Sequence, residues 1–265
     1  MNRFLALVPL LFAASTAFAA PGLKAGGLNE FNVELPRELR QLAGRGQVSP
    51  VAHALVTIGV PARFDPARDW PVIVISATAN NSSRQLLGVY AETALAAGWI
   101  VVAADPVEGA PGLEDDLPLR YALNIAALAA LELQWPGAAK AQLAFGGFSG
   151  GAKNAGWLAA AFASRDRTII GIYLAGINED TIVSAAQHFK VLNDAYRRIP
   201  IFLQSGDRDD VATPADHQRV REDLVRAGFW NIRVEQFSGP HVVDPGPLLR
   251  ALNWFRELAA RLPGN

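Results

Sequence analysis

From residue 72 onward, short continuous apolar runs recur with helical stretches between them, and this alternation restricts the fold more than any other feature. The runs are "VIVIS" (72–76), "WIVVAA" (99–104), "QLAFGG" (142–147), "TIIGIYLAG" (168–176), "IFLQSG" (201–206) and "IRVEQF" (232–237). Each reads as apolar on both faces, the pattern of a strand covered by helices on either side of a sheet. Helices are expected at about 83–97, 118–134, 150–163, 181–196, 214–227 and 246–261. Strands that alternate with helices pair in parallel through crossovers. The predicted class is therefore α/β, a doubly wound, mostly parallel sheet flanked by helices. No helix-rich insertion is long enough to form a large lid.

Upstream the pattern weakens. Residues 21–51 are broken up by Gly22, Gly26, Gly27, Gly44 and Gly46. Short antiparallel strands are expected here, notably at "HALVTIGVP" (53–61), where β-branched residues concentrate. Three prolines in 59–71 mark a surface connection. The first nineteen residues read as a leader. Arg3 precedes an apolar run from Phe4 to about Phe12, and Ala17-Phe18-Ala19 makes an A-x-A cleavage pattern. The run is short and interrupted by Pro9, unlike a membrane span. The expected organisation is a signal peptide at 1–19 and a single domain at 20–265, exported to the periplasm or beyond, with no membrane anchor after cleavage.

Composition closes off several functions. A formal net charge of −1 leaves no basic footprint for nucleic acid. The absence of cysteine excludes disulfides, thiolate metal sites and a cysteine nucleophile. No His and carboxylate spacing points to a metal, and no cofactor is expected.

In sheets of this kind ligands bind beyond the carboxyl ends of the strands, so candidate residues are those that follow each apolar run. Ser149 is one. It follows the run 142–147 and opens the expected helix 150–163, within Gly147-Phe148-Ser149-Gly150-Gly151. A serine on so sharp a strand-to-helix turn is strained, and side chains two residues to either side would collide there. Glycine occupies both of those positions. The N–H of Gly150, at the positive end of the helix, would face a developing oxyanion. A phosphate-binding loop fails on spacing, since there is no G-x-G-x-x-G and no G-K-[ST]. A purely structural turn is the remaining alternative.

A serine nucleophile needs a base. Of four histidines, His53, His188 and His217 lie in expected strand or helix and read as surface or packing residues. His241 alone lies just after the last expected strand, in the Gly-Pro loop of "FSGPHVVDPG" (237–246). A carboxylate to orient it is offered by "LQSGDRDDVATP" (203–214), in Asp207, Asp209 and Asp210. Asp209 is favoured because it lies far enough past Gly206 to turn back toward the last loop; at least one of the other two is expected to be structural. A second oxyanion donor is expected from the loop 76–81, at the backbone N–H of Ala77 or Thr78.

With these residues the chain resembles the α/β-hydrolase superfamily, over about residues 52 to 262. It is most similar to lid-less secreted serine esterases related to dienelactone hydrolases, feruloyl esterases and polyhydroxyalkanoate depolymerases. The resemblance implies Ser149 as nucleophile, His241 as general base, Asp209 as orienting acid and Gly150 as an oxyanion donor. Many members carry His-Gly after the third strand, where this chain has Ser76-Ala77. The implied activity is cleavage of a small-molecule carboxylic ester through an acyl-enzyme. A peptidase or acyltransferase using the same triad, or a non-catalytic binding protein on the scaffold, are the alternatives. Six tryptophans read mainly as core, with Trp157 set apart by lying on the helix that Ser149 opens.

Overall fold

Every apolar run becomes a strand of one sheet. The structure, a computed structural model, describes residues 22–76, 82–107 and 117–261. Its strands are β1 (Gly27–Glu34), β2 (His53–Val60), β3 (Val72–Ser76), β4 (Ile100–Pro106), β5 (Leu143–Phe148), β6 (Ile169–Ala175), β7 (Ile201–Gly206) and β8 (Ile232–Phe237). Its α-helices are α1 (Arg37–Ala43), α2 (Ser83–Ala96), α3 (Leu117–Gln134), α4 (Gly150–Ala163), α5 (Ile182–His188), α6 (Asp194–Arg197), α7 (Pro214–Arg226) and α8 (Pro245–Ala259). The strand order is β1-β2-β4-β3-β5-β6-β7-β8. β2 pairs antiparallel with β1 and β4, and the pairs from β4 through β8 are parallel. The α/β class expected from the alternation is thus the class found.

The two-sided apolar runs divide neighbouring residues between two cores. Val72 and Val74 of β3, with Ile100 and Val102 of β4, enter the layer that also buries residues of α1, α3, α4 and α7. Ile73 and Ile75, with Val101 and Ala103, point the other way, against Leu87 and Tyr90 of α2 and Leu252 and Phe255 of α8. Successive strand residues face opposite sides, so a strand covered on both must be apolar throughout. Helix starts are set locally. Ser82 and Gln85 form a reciprocal capping box at α2, and Thr213 and Asp216 form another at α7, where Pro214 fills the first position.

Three expectations change. The helix expected at 181–196 is two short ones, α5 and α6. Lys190 takes a left-handed φ of 58°, Val191 N–H closes onto Ala186 O, and Asn193 caps the new start at Tyr196 N. β8 is an edge strand with Arg233 and Gln236 exposed, so its outer positions are polar instead of buried. Trp230 lies 59% exposed beneath the Arg198 guanidinium, outside the core that holds Trp99, Trp135 and Trp254. The expected signal peptide at 1–19 lies outside the described residues. Among the described residues no helix is long and apolar enough to cross a membrane.

Candidate active site

The turn from β5 to α4 has the strain its glycines anticipate. Ser149 adopts φ 55° and ψ −121°, close to the first central position of a type II′ turn, about +60° and −120°, which glycine normally fills. Its backbone is fastened on both sides: Ser149 N–H donates to Ala175 O at 2.9 Å, and Ser149 O accepts from Ala152 N–H at 3.0 Å. A Cβ on Gly147 would lie 2.3 Å from the Gly151 carbonyl carbon and oxygen. Only glycine lets the strand end pass the helix start so closely. Gly150 is the first residue of α4, where amide N–H groups have no partner within the helix.

Asp209 and His241 are brought together by a second close approach. A Cβ on Gly206, the last residue of β7, would meet Gly239 O at 2.3 Å and Pro240 O at 2.5 Å. The loops after β7 and β8 are laced by Asp207 N–H to Phe237 O (2.9 Å), Arg208 N–H to Gly239 O (3.0 Å) and Gly239 N–H to Asp207 Oδ1 (2.9 Å). Asp207 therefore holds the two loops together, and Asp210 is exposed. Between them Asp209, 4% exposed, sets Oδ2 2.7 Å from His241 Nδ1. Its Oδ1 accepts from Val211 N–H (2.9 Å) and Ala212 N–H (2.7 Å). Burial raises the Asp209 pKa, but the bonds from Ala212, His241 and Val211 outweigh it and hold the carboxyl below its ordinary range. An ionised Asp209 accepts a hydrogen bond from Nδ1–H of a neutral imidazole, which leaves Nε2 as the basic nitrogen.

The imidazole is also gripped from two sides. The Phe148 ring, one residue before Ser149, lies 4.4 Å from it centre to centre. On another side is Gly176 (φ 58°), where a Cβ would come within 2.7 Å of His241 Cε1 and 2.9 Å of Phe148 Cε2. His241 Nε2 is buried with no hydrogen-bond partner, so Ser149 Oγ does not bond to it in this state.

No protein-family model matches the sequence, and no curated protein matches it. Solved structures match its fold. A lid-less α/β serine hydrolase from Xanthomonas campestris superposes with a TM-score of 0.54 at 16% identity, over 92% of this chain and 99% of that one. A dienelactone hydrolase from Anabaena variabilis gives 0.52 at 16% identity, over 88% and 95%. The chain has the α/β-hydrolase fold. A dipeptidyl aminopeptidase IV from Bacteroides ovatus, described as putative, gives 0.55 at 12% identity over 88% of this chain; this chain spans only 35% of that one.

On this hydrolase fold Ser149, Asp209 and His241 follow β5, β7 and β8, all at the carboxyl edge of the sheet. Ala77 and Thr78, the expected second oxyanion donors, lie outside the described residues; β3 reaches them from Ser76, which pairs with Gly147. Trp157 lies two turns beyond Ser149 on α4. It stands edge-on to His188 and Phe189, beside an apolar recess of about 410 Å³ that Tyr121 and Leu158 also line. Asp105, at the end of β4, is buried against Arg120 at 3.7 Å. Two residues of the site escaped the sequence reading, Gly176 and His217. Gly176 repeats the position of Gly206, a glycine that closes an apolar run, and that parallel was the available clue. His217 is fully buried, as a packing residue should be, but it is bonded at both ring nitrogens.

Proposed function

We infer that this protein is a serine hydrolase that cleaves carboxylic esters through a Ser149–His241–Asp209 triad. The observation that carries the reading is the 2.7 Å Asp209–His241 pair on the same sheet edge as a serine held at φ 55°. Ser149 Oγ attacks the ester carbonyl carbon while His241 Nε2 takes its proton, and Asp209 stabilises the imidazolium. The Gly150 N–H donates to the oxyanion. Collapse of the tetrahedral adduct breaks the C–O bond to the alcohol, which leaves with the proton from His241. Water, deprotonated by the same nitrogen, then releases the acid and restores Ser149.

The peptidase neighbour supports a second reading in which the same groups cleave an amide, and fold alone does not separate the two. Fluorophosphonate labelling tests the triad: it should mark the wild type and be lost in Ser149→Ala. Labelling that survives the substitution overturns it. Parallel assays with p-nitrophenyl esters and aminoacyl p-nitroanilides then decide between ester and amide. Export is part of the same proposal and rests on the Arg3, apolar-run and A-x-A pattern of residues 1–19.

A further inference from the structure

His217 lies in the first turn of α7 with none of its surface exposed. Its Nε2 is 3.3 Å from the backbone nitrogen of Ile177, and its Nδ1 is 3.1 Å from Thr213 O. A backbone N–H can only donate, so Nε2 must present its lone pair. The proton is therefore on Nδ1, which donates to the Thr213 carbonyl. Both bonds require a neutral ring.

The two partners belong to the two segments that hold His241. Thr213 ends the loop whose Asp209 bonds His241 Nδ1. Ile177 directly follows Gly176, the residue against which the His241 ring rests. Gly176 is itself tied to β7 by its N–H to Gln204 O at 3.0 Å. His217 thus bridges the loops after β6 and β7 immediately behind the catalytic imidazole.

We propose that His217 is a positioning residue, whose neutral ring pins Ile177 and Gly176 so that His241 is held between Asp209 and Phe148 for proton transfer. The proposal rests on the triad reading above. Protonation would replace the Nε2 lone pair with an N–H facing the N–H of Ile177, and the bridge would open. The charges that bear on the ring are Asp209 from the β7 loop and Asp216 from α7, both of which favour the protonated form. Arg219, one turn along α7, is engaged by Asp216 and donates to Asn178 O. Burial opposes the Thr213 and Gln204 backbone groups and the two carboxylates, all of which favour the protonated form, and prevails, keeping His217 below the ordinary imidazole range.

Two variants test this in the full-length protein. His217→Phe keeps the ring's bulk but leaves the Ile177 N–H without an acceptor. His217→Gln can place its Oε1 near the former Nε2 and cannot be protonated. With p-nitrophenyl acetate, the Phe variant should lose roughly ten- to a hundredfold in kcat with KM little changed, as misplacement of a catalytic group does. The Gln variant should recover most of that loss, with an acid limb of kcat shallower than the wild type's. The imidazole NMR spectrum, with four histidines in the chain, supplies a readout that does not depend on turnover. The His241 Nδ1–H resonance should shift or broaden in the Phe variant and return in the Gln variant. An unchanged resonance in His217→Phe, or an acid limb as steep in His217→Gln as in the wild type, overturns the positioning role. If the Phe variant does not fold, the Gln variant's acid limb still decides. Failure of the triad reading shows separately, as wild-type turnover no greater than that of Ser149→Ala, and it removes the catalytic role with it.

Discussion

Replacing Ser149 by glycine should make the protein more stable than replacing it by alanine. Both changes remove the hydroxyl, so whatever the hydroxyl contributes is lost equally in the two. They differ in what they ask of the backbone at φ 55° and ψ −121°. A residue with a Cβ is strained there by about 1–3 kcal/mol, whereas glycine is not. The turn cannot relax, because Ser149 N–H is bonded to Ala175 O and Gly147 already touches the Gly151 backbone. Against this, glycine costs about 0.4–1 kcal/mol through the greater freedom of the unfolded chain. The balance favours glycine by about 1 kcal/mol, roughly 2–4 °C in Tm for a domain of this size. Circular-dichroism melts and urea titrations of the two variants measure it directly. An alanine variant equal to or more stable than the glycine variant refutes the claim that the elbow stores strain.

The remaining predictions concern the loops beside it. Asp209→Asn keeps an oxygen for the Val211 and Ala212 N–H groups but turns an NH₂ toward His241 Nδ1, forcing the proton onto Nε2; kcat should fall by about 10³–10⁴ at near-wild-type stability, as stopped-flow ester hydrolysis and melting would show. Gly206→Ala drives a methyl into Gly239 O and Pro240 O, and should cost about 2–3 kcal/mol in urea titrations together with most of the activity. Stability should decline with acid in two stages. His217 takes up its proton less readily folded than unfolded, so stability falls as pH drops from the ordinary imidazole value toward the lower folded one. Asp209 ionises more readily folded, so its contribution is complete above the ordinary carboxylate range and is lost as pH falls through the depressed folded value; urea titrations of wild type, His217→Gln and Asp209→Asn separate the two. Expressed with its own leader in a bacterial host, the protein should begin at Ala20 on N-terminal sequencing.

What the sequence made legible followed from periodicity and from glycine. A strand covered on both faces is mostly apolar, so β3 to β7 stand out as near-continuous runs whose polar residues gather toward their carboxyl ends, and those ends, with that of β8, locate the sheet edge that carries Ser149, Asp209 and His241. β1 was not singled out because its alternation is short: Phe31 and Val33 face in and Glu30, Asn32 and Glu34 face out, but the pattern breaks at Leu28 and Asn29. Asn29 faces inward, bonded to Lys24 O and Ile58 O, while Leu28 is 41% exposed. The break between α5 and α6 was hidden for a different reason. Lys190 is no better suited to a left-handed conformation than its neighbours, and only Asn193, a good N-cap, marked the restart. The sequence left His217 as a surface or packing residue; it is interior, and its bond to Ile177 joins residues forty positions apart and depends on where two loops land. No local pattern encodes that distance.

The sheet order has a consequence for when the protein becomes active. Asp209 and His241 come from the loops after β7 and β8, the last two strands in the chain, and they meet only once β8 has docked and Gly206 has closed against Gly239 and Pro240. Phe64, Trp70 and Trp135, which pack ring against ring, all come from earlier segments. A chain emerging from a ribosome can therefore pair its earlier strands while its proposed base is still missing. Under the proposed reading it is latent by order of synthesis. Recovery of turnover should lag the recovery of tryptophan fluorescence on refolding, and turnover then reports completion of the last strand rather than collapse of the first.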